Sequence, residues 1–392
     1  MTSEWHEVPL RELVGYISKG IAPSYAEEES ETTIRVLNQK CNRNFQISYG
    51  DSRLHDTLKK KVPPERYVKP DDILINSTGA GTAGRIAQIE DVPSATTIDG
   101  HMILIRSNGK VTQKFLGYAL KAHQWEVLQL DEGSTGQTEL NRERLLDEIM
   151  INYPVSFDEQ NAIVGTLESI DRKLIVNEQL NDNLQQQASA LFSSFYDWSN
   201  TEVRYTDLIQ ILGGGTPKTG ENTYWNGNIA FFTPKDVGTP YTLITEKTIT
   251  EEGLSHCNSR LYPVNTVFVT ARGTVGKVGM SGVPMAMNQS CYALVGKETH
   301  QLLVYFYTLK AVDRLKHKAS GAVFDAITTR DFESEQIMKL SDDDAKAFLC
   351  VAKPMFQEVL NNNIENLRLS TLRDSLLPKL MSGEIDVSAV QL

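Results

Sequence analysis

The chain contains an internal duplication, which restricts its possible folds more than any other feature. At an offset of 194 residues, 17–23 (ISKGIAP) aligns with 211–217 (ILGGGTP) and shares isoleucine, glycine and proline. At an offset of 192, 81–85 (GTAGR) aligns with 273–277 (GTVGK). The offset falls to 185 at the ends of the halves, as insertions and deletions in surface loops would produce. An ordered series of matches predicts two similar domains.

Each half ends in a helical pattern with a coiled-coil seam. Asp158 is a candidate helix cap, and the helix is predicted to run to about Phe195. Steps of four and three residues are typical of a coiled coil. The seam reads Ile163, Leu167, Ile170, Leu174, Asn177, Asn181, Leu184, Ala188, Leu191 and Phe195. Adding 185 gives Phe348, Ala352, Met355, Val359, Asn362, Asn366, Leu369, Arg373, Leu376 and Leu380.

Two asparagines interrupt each apolar seam at equivalent positions. These are Asn177 and Asn181 in the first helix and Asn362 and Asn366 in the second. A single seam asparagine is consistent with a solvated helix face. Their repetition favours the hypothesis that they pair and fix the register of two antiparallel helices.

Pro354 lies inside the second predicted helix and cannot donate a hydrogen bond to the carbonyl of Cys350. The sequence therefore predicts a kink or an interruption there. The first helix has Ser169 at the equivalent position and is predicted to be straighter.

The distribution of charge separates the helices from the rest of the chain. The net charge is −11, composed of −4 for 1–157, −5 for 158–200, 0 for 201–342 and −2 for 343–392. Acidic helices are poor surfaces for DNA but reasonable ones for proteins. The nearly neutral regions can still present a local basic face, so the overall charge does not exclude DNA binding.

The glycine-rich stretch 79–84 formally matches the dinucleotide-binding pattern GxGxxG. That pattern requires a following helix, whereas 85–90 resembles a strand, and the copy at 271–277 loses the pattern. Two alternatives remain open. The stretch is either a structural turn or a phosphate-facing turn with Arg85 and Lys277 at the tips.

Other polar and basic residues lie in candidate loops, notably 133–144 and the glycine-rich 213–220. Their types can read base edges or contact phosphate, and the alternative for each is an ordinary surface loop. The candidate DNA-contacting residues are Lys19, Arg85, Gln137, Asn141, Arg142, Arg144, Lys218, Lys235, Arg272, Lys277 and Arg330.

Several classes of function receive no support from the sequence. It contains no methyltransferase NPPY-type motif, nucleophile elbow, HExxH or P-loop, so we expect no catalytic residues. The four cysteines (Cys41, Cys257, Cys291 and Cys350) are scattered, so we expect no metal site and no disulfides. With no apolar run of membrane length and no secretory signal, we expect a cytoplasmic protein that does not bind membranes.

Four segments together resemble the specificity subunits of type I restriction-modification systems. They are 158–163 (DEQNAI), 376–385 (LLPKLMSGEI), 213–218 (GGGTPK) and 273–277 (GTVGK). One departure is Ala22-Pro23 where the second half has Thr216-Pro217.

The resemblance implies an α/β (α+β) fold. Two mixed α/β target-recognition domains would form a pseudo-two-fold repeat, separated by two long antiparallel coiled-coil helices. The expected boundaries are 1–155 for the first domain, 156–200 for the central helix, 201–341 for the second domain and 342–392 for the C-terminal helix.

The same resemblance implies that each domain reads one half of a bipartite site in double-stranded DNA. The helices, about 38 residues or roughly 57 Å each, would set the half-site spacing and dock two methyltransferase subunits. S-adenosylmethionine, ATP and Mg would bind to those and to restriction/translocase subunits, with no cofactor in this chain. The alternatives are a coiled-coil scaffold with two protein-binding domains and a nucleotide-binding enzyme. The bases read, the spacer length, the contacting loops and whether the system restricts or only methylates stay open.

Overall fold

The chain forms two compact units. The computed structural model describes residues 4–79, 81–132, 139–238, 240–318, 326–387 and 390. We call Met1–Arg172 with Leu369–Leu392 unit 1, and Lys173–Arg368 unit 2. Each unit contains part of both long helices. The domain boundaries expected from the sequence stay predictions.

Unit 1 is mostly β-structure, with helices in its second half. Its strands are β1 Trp5–Pro9, β2 Val14–Lys19, β3 Tyr25–Ala26, β4 Thr33–Leu37, β5 Asn42–Arg43, β6 Gln46–Ile47, β7 Arg53–Asp56, β8 Ile73–Asn76, β9 Ile86–Gln88, β10 Thr96–Ile98, β11 Met102–Ser107, β12 Asp131–Glu132, β13 Glu139–Leu140 and β14 Met150–Pro154. Its helices are α1 Gln113–Ala122, α2 Gln124–Val127, α3 Arg142–Glu148 and the start of α4 Phe157–Trp198.

The central sheet of unit 1 has the antiparallel order β2-β11-β8-β9, and alternate residues of its strands supply two cores. Ile73 and Ile75 pack with Phe115 of α1 on one face. Leu74 packs with Leu37 of β4 on the other face. Because both faces are buried, the first three residues of β8 are all apolar. A second sheet, β10-β4-β7-β3, covers that other face, and β1 pairs with β14 before α4.

Unit 2 repeats this arrangement. Its strands are β15 Thr201–Arg204, β16 Ile209–Gly213, β17 Trp225–Phe232, β18 Tyr241–Thr242, β19 Lys247–Ile249, β20 Val267–Thr270, β21 Val278–Ser281, β22 Met285–Met287, β23 Cys291–Gly296 and β24 Gln336–Lys339. Its helices are α5 Tyr205–Leu208, α6 Glu251–Ser255, α7 Gln301–Lys318, α8 Thr329–Ser334 and most of α9 Asp342–Met381.

The duplication predicted from the sequence is visible in the strand order. The order β16-β23-β20-β21 in unit 2 matches β2-β11-β8-β9 in unit 1, with β18 added at its edge. In the second sheet the parallel pair β17–β22 corresponds to β4–β10, and β15 pairs with β24 as β1 pairs with β14. Val267 and Val269 pack against α7, while Phe268 packs towards Phe232. The predicted α/β fold class is therefore confirmed.

Two predictions for the long helices are corrected: α9 is not interrupted at Pro354, and Asp158 is not the cap of α4. Helix α9 runs without interruption through Pro354. The proline side chain is exposed, so the carbonyl that loses its amide partner can bind water. Helix α4 begins at Phe157, so Asp158 lies inside the helix. Ser156 precedes the helix, and its Oγ accepts a hydrogen bond from the Glu159 amide at 3.4 Å.

No helix in the described part of the chain is long and apolar enough to cross a membrane.

Two equivalent glycines allow a close approach of backbone segments. A Cβ at Gly20 would lie 2.2 Å from the carbonyl oxygens of Ile98 and Asp99. A Cβ at Gly214 would lie 2.2 Å from the carbonyl oxygen of Asn288. The glycine shared by 17–23 and 211–217 is thus required by packing in both units.

Gly214→Ala is predicted to destabilise the protein by about 1–3 kcal/mol, because backbone must shift to admit the methyl group. Gly213→Ala is the matched control, since no atom lies within 4 Å of its added Cβ. Urea unfolding of the two full-length variants measures the difference. Equal unfolding midpoints would show that the close approach at Gly214 is not required.

Candidate nucleic-acid interface

The loops of unit 2 converge where several strands begin or end. The register pairs Phe232 with Met287 and Thr270 with Cys291, so the ends of β17, β20 and β22 and the start of β23 lie at one edge. Gly213, the last residue of β16, pairs beside them with Tyr292. We call the segments that leave this edge the unit 2 loop edge: 213–220, 233–238, 271–277 and 288–290.

A cleft of about 480 Å³ opens at the unit 2 loop edge. Three cationic side chains face one carboxylate there, so the cleft has a net positive charge. Its lining residues are Thr233, Pro234, Lys235, Glu246, Lys247, Arg272, Gly273, Thr274, Asn288 and Ser290.

Two of the predicted DNA-contacting residues, Lys235 and Arg272, meet in this cleft. The Lys235 ammonium lies 3.6 Å from Glu246, and its side chain is 80% exposed. Such an exposed ion pair is weak, so Lys235 can leave Glu246 and bind a phosphate in its place. Arg272 is exposed and has no ion-pair partner among the residues that the structure describes.

The backbone at Arg272 is fixed on both sides. The amides of Ala271 and Arg272 both donate to the carbonyl of Ser290, at 2.8 and 3.3 Å, and the amide of Ile327 donates to the carbonyl of Ala271 at 2.9 Å. The guanidinium therefore extends from a rigid turn, which lowers the entropic cost of ordering it on a ligand.

The glycine-rich loop is also held in place, which argues against the alternative of a flexible connection. The Gly215 amide donates to the Met287 carbonyl at 3.1 Å, and Thr216 Oγ1 donates to Gln289. Trp225 Nε1 donates to the Lys218 carbonyl at 3.1 Å and so holds the backbone of the loop. The side chain of Lys218 is exposed.

The glycine stretch that begins at Gly79 contains a turn, as both alternatives predicted. The Thr82 amide donates to the Gly79 carbonyl at 2.9 Å, and strand β9 follows in place of a helix. The helix that the dinucleotide-binding pattern requires is therefore absent from the described residues directly after this turn. Arg85 donates to the Gly81 carbonyl at 3.0 Å, whereas the side chain of Lys277 is exposed. A role for either residue at phosphate stays a prediction.

The equivalent edge of unit 1 is chemically different. Lys19, at the end of β2, forms an ion pair with Glu139. The bridge between Thr78 and Glu139 corresponds to the bridge between Arg272 and Ala326 in unit 2. Threonine thus replaces the arginine, and a carboxylate replaces a methyl group. Thr78 Oγ1 lies 2.6 Å from Nδ1 of His101.

The remaining candidates lie at the N-termini of two short helices. Asn141 caps α3 by accepting hydrogen bonds from the Glu143 and Arg144 amides at 3.0 and 3.2 Å. The Arg144 guanidinium lies 2.7 Å from Glu148. Arg142 in α3 and Arg330 in α8 are exposed. Gln137 lies outside the described residues. Contact with DNA stays a prediction for all of them.

The sequence reasoning missed several residues at these edges. Lys247 lines the cleft and its ammonium lies 5.6 Å from the centre of the Trp225 ring. Asn288 and His101 each lie just before a central strand, β23 and β11. A search for polar residues next to strand ends could have found all three, since Lys247 is the first residue of β19.

One cysteine lies near the cleft, at the start of β23. Burial raises the pKa of the Cys291 thiol to about 12, so this nearby residue is not a thiolate at neutral pH. No group of three or more potential metal ligands occurs within the described ranges. The arrangement is suited to binding.

The seam asparagines pair across α4 and α9 inside unit 2. Asn177 Nδ2 donates to Asn366 Oδ1 at 2.8 Å, and Asn362 Nδ2 donates to Asn181 Oδ1 at 2.9 Å. Residue numbers rise along α4 as they fall along α9, so the helices are antiparallel in this stretch. Asn363 adds a partner that the seam did not predict, since its Oδ1 accepts from Asn181 at 2.8 Å.

A charged pair flanks the asparagines. Glu365 accepts a hydrogen bond from Asn177 at 2.7 Å and lies 3.1 Å from Lys173. The Asn177 hydrogen bond, followed by Lys173, holds the pKa of the Glu365 carboxyl below its ordinary value. The amide pairs are thus bordered by a group that stays ionised at neutral pH. That they fix the register stays a prediction.

Comparison with known proteins now identifies the family. Residues 2–186 and 197–339 each match the family model described as the type I restriction modification DNA specificity domain. The fold is therefore that of a chain with two such domains, and the chain belongs to this family.

Individual relatives agree with this assignment. The chain is 27% identical over 172 residues to the type I restriction enzyme MjaIX specificity subunit of Methanocaldococcus jannaschii, covering 42% of this chain and 39% of that one. It is 28% identical over 186 residues to the HindI specificity subunit of Haemophilus influenzae, covering 46% and 40%. The chain thus spans about two fifths of the length of these curated relatives.

A solved structure shares the whole fold. The crystal structure of the type I restriction-modification S subunit from M. genitalium superposes with a TM-score of 0.61 at 15% identity, covering 97% of this chain and 99% of that one.

Changing Asn177, Asn181, Asn362 and Asn366 together to leucine is predicted to stabilise the helix pair but to permit more than one register, because leucine pairs impose no hydrogen-bond match. Crosslinking of cysteines placed along α4 and α9 measures the register. Asn361→Leu is the matched control, since Asn361 is exposed on the same helix. A single register in the fourfold variant would contradict the role of the asparagines.

Proposed function

We propose that this protein is the DNA-sequence-specificity subunit of a type I restriction-modification enzyme, and that each unit reads one half of a split site in double-stranded DNA. The observation that carries the proposal is the duplicated specificity domain, which has a polar loop edge at equivalent strand ends in both copies. Two similar but separate reading surfaces suit a site with two parts.

The positive cleft of unit 2 supports DNA as the ligand. Lys235, Lys247 and Arg272 provide the cations that a phosphate backbone requires. Asn288 lines the same cleft and Gln289 follows it, and amide side chains of this kind can hydrogen-bond to base edges. One surface thus carries cations that can bind phosphate and amides that can recognise bases.

The two edges differ enough to read different sequences. Arg272 in unit 2 corresponds to Thr78 in unit 1, where Glu139 also neutralises Lys19. An arginine favours guanine, whereas a threonine hydroxyl can contact any base. We infer an asymmetric site with weaker phosphate binding by unit 1.

The long helices would dock the partner subunits. Continuous helices of 42 and 40 residues, in regions that carry net negative charge, suit protein contacts better than DNA contacts. In this proposal two methyltransferase subunits bind the helices and supply S-adenosylmethionine chemistry. Restriction/translocase subunits supply ATP- and Mg-dependent cleavage, and this chain supplies specificity and the half-site spacing.

Selection from random duplex DNA tests the proposal. The full-length chain is reconstituted with its methyltransferase partner, and bound duplexes are sequenced. We expect enrichment of two short motifs at a fixed separation. A complex that forms but enriches no sequence would support a protein-binding scaffold and contradict the proposal.

Arg272→Ala is predicted to weaken specific binding by about 1–3 kcal/mol, because it removes a cation from the positive cleft. The matched control is Lys297→Ala, since Lys297 follows the opposite end of β23 and donates to the Thr206 carbonyl. Binding is measured at several salt concentrations, and the salt slope is expected to fall only for Arg272→Ala. Equal losses in both variants would exclude the cleft as the binding surface.

Insertion of one heptad into both α4 and α9 is predicted to lengthen the gap between half-sites while each half-site sequence stays the same, since the added turns extend the helices without touching the loop edges. The same selection measures the gap. A changed half-site sequence with an unchanged gap would show that the helices do not set the spacing.

A further inference from the structure

A buried charge cluster joins the first recognition domain to the helix pair within unit 1. Asp171 of α4 accepts hydrogen bonds from Tyr118 Oη at 2.9 Å and from Lys121 Nζ at 3.1 Å, both on α1. Its other oxygen accepts from Arg373 Nη1 of α9 at 3.0 Å. The Lys121, Asp171 and Arg373 side chains are 11%, 17% and 18% exposed. We call these four side chains the charge cluster.

The pKa values of the ionisable groups in the charge cluster depend on one another. Burial lowers the pKa of Lys121. Burial also raises the pKa of the Asp171 carboxyl, but Lys121 and the hydrogen bonds from Arg373 and Tyr118 outweigh this and hold it below its ordinary value. Asp171 thus stays ionised because two cations face it. Removal of the Asp171 carboxylate leaves the buried Lys121 ammonium without compensation, while Arg373 keeps Asp374.

Matching hydrogen bonds align α1 of unit 1 with α7 of unit 2. Gln113 Nε2, at the start of α1, donates to the Ile105 carbonyl at 3.1 Å. Gln301 Nε2, at the start of α7, donates to the Leu294 carbonyl in the same way. The two helices therefore correspond at an offset of 188 residues, while the long helices correspond at 185.

At these offsets none of the four residues of the charge cluster has a charged counterpart in unit 2. The counterparts of Tyr118, Lys121, Asp171 and Arg373 are, in that order, Phe306, Leu309, Phe356 and Ala188.

Aromatic packing takes the place of the charges in unit 2. The ring of Phe356 lies 5.5 Å from that of Phe306 and 5.7 Å from that of Tyr305. Phe306 also contacts Phe348, with ring centres 5.2 Å apart. We call Tyr305, Phe306, Phe348 and Phe356 the aromatic cluster. It holds α7 against α9 as the charge cluster holds α1 against α4.

The two contacts are chemically incompatible. If α1 packed at the aromatic cluster, Lys121 would be buried against Phe356 with no carboxylate. If α7 packed at the charge cluster, Asp171 and Arg373 would face Phe306 and Leu309. The first exchange buries the Lys121 ammonium without its carboxylate. The second buries the Asp171–Arg373 ion pair against apolar side chains and removes the hydrogen bonds that Tyr118 and Lys121 donate to Asp171. Both are unfavourable.

We propose that the charge cluster and the aromatic cluster form a docking code, which confines each recognition domain to its own stretch of the helix pair. The code opposes exchange of domains within the chain and between two copies of it. On the proposed function, it also keeps the order of the two half-sites constant. Asp171, Lys121 and Arg373 are positioning residues that act without contacting DNA.

A domain replacement in the full-length chain tests the code. Residues 201–341 replace 1–155, so that the second recognition domain stands at both positions. One version keeps the native helices, and the other carries Asp171→Phe and Arg373→Ala. Limited proteolysis without DNA follows the stability of the first position. We expect about tenfold slower cleavage there in the version with converted helices, because its buried charges are gone.

Equal cleavage of the two versions, whether fast or slow, would overturn the docking code, because the helix residues would then not decide which domain is accepted. This readout does not use DNA, so it can fail while the proposed function holds.

A second set of variants keeps both native domains. Asp171→Phe alone leaves Lys121 without a carboxylate and Arg373 with Asp374 alone, and is expected to speed cleavage of unit 1 about tenfold. Addition of Tyr118→Phe, Lys121→Leu and Arg373→Ala is expected to restore resistance by converting the cluster to its aromatic counterpart. Asp182→Phe on the exposed face of α4 is the control and is expected to change little. Failure of the fourfold variant to recover would contradict the code.

Discussion

The pairing of asparagines between α4 and α9 is the interaction on which the rest of the structure depends. The amide of Asn181 can satisfy that of Asn362 in only one alignment of antiparallel helices, while neighbouring leucines would tolerate several. The buried amides give up some stability, because a leucine pair would bury more apolar surface. In return they are predicted to define a unique alignment, and the residues of the charge cluster and the aromatic cluster lie partly on the same two helices.

Duplication explains the architecture, and divergence explains how its halves can differ in function. The strand order and the close approaches at Gly20 and Gly214 are the same in both units, because main-chain packing accepts few substitutions. The loop edges and the helix contacts differ, as Arg272 against Thr78 and Phe356 against Asp171 show. A duplicated scaffold can therefore carry two chemically different loop edges and two different helix contacts.

The sequence predicted features that depend on local pattern. The seam period predicted both helices, and the repeated asparagines indicated that they pair. The sequence did not predict features that depend on contacts between residues distant along the chain. Pro354 does not interrupt α9, because solvent can satisfy the free carbonyl on the exposed face. The seam pattern did not predict that Arg373 contacts Asp171. Arg272 and Asn288 are distant along the chain and come together only through the order of the strands. Contact of the candidate residues with DNA stays a prediction.

The most direct measurement is the DNA methylation pattern of the source genome with and without this gene. Deletion is predicted to remove methylation from one asymmetric motif, made of two short sequences at a fixed separation, and the intact gene is predicted to restore it. Insertion of a heptad into both helices of the restored gene should move methylation to the same two sequences at a wider separation. An unchanged methylation pattern after deletion would contradict the account.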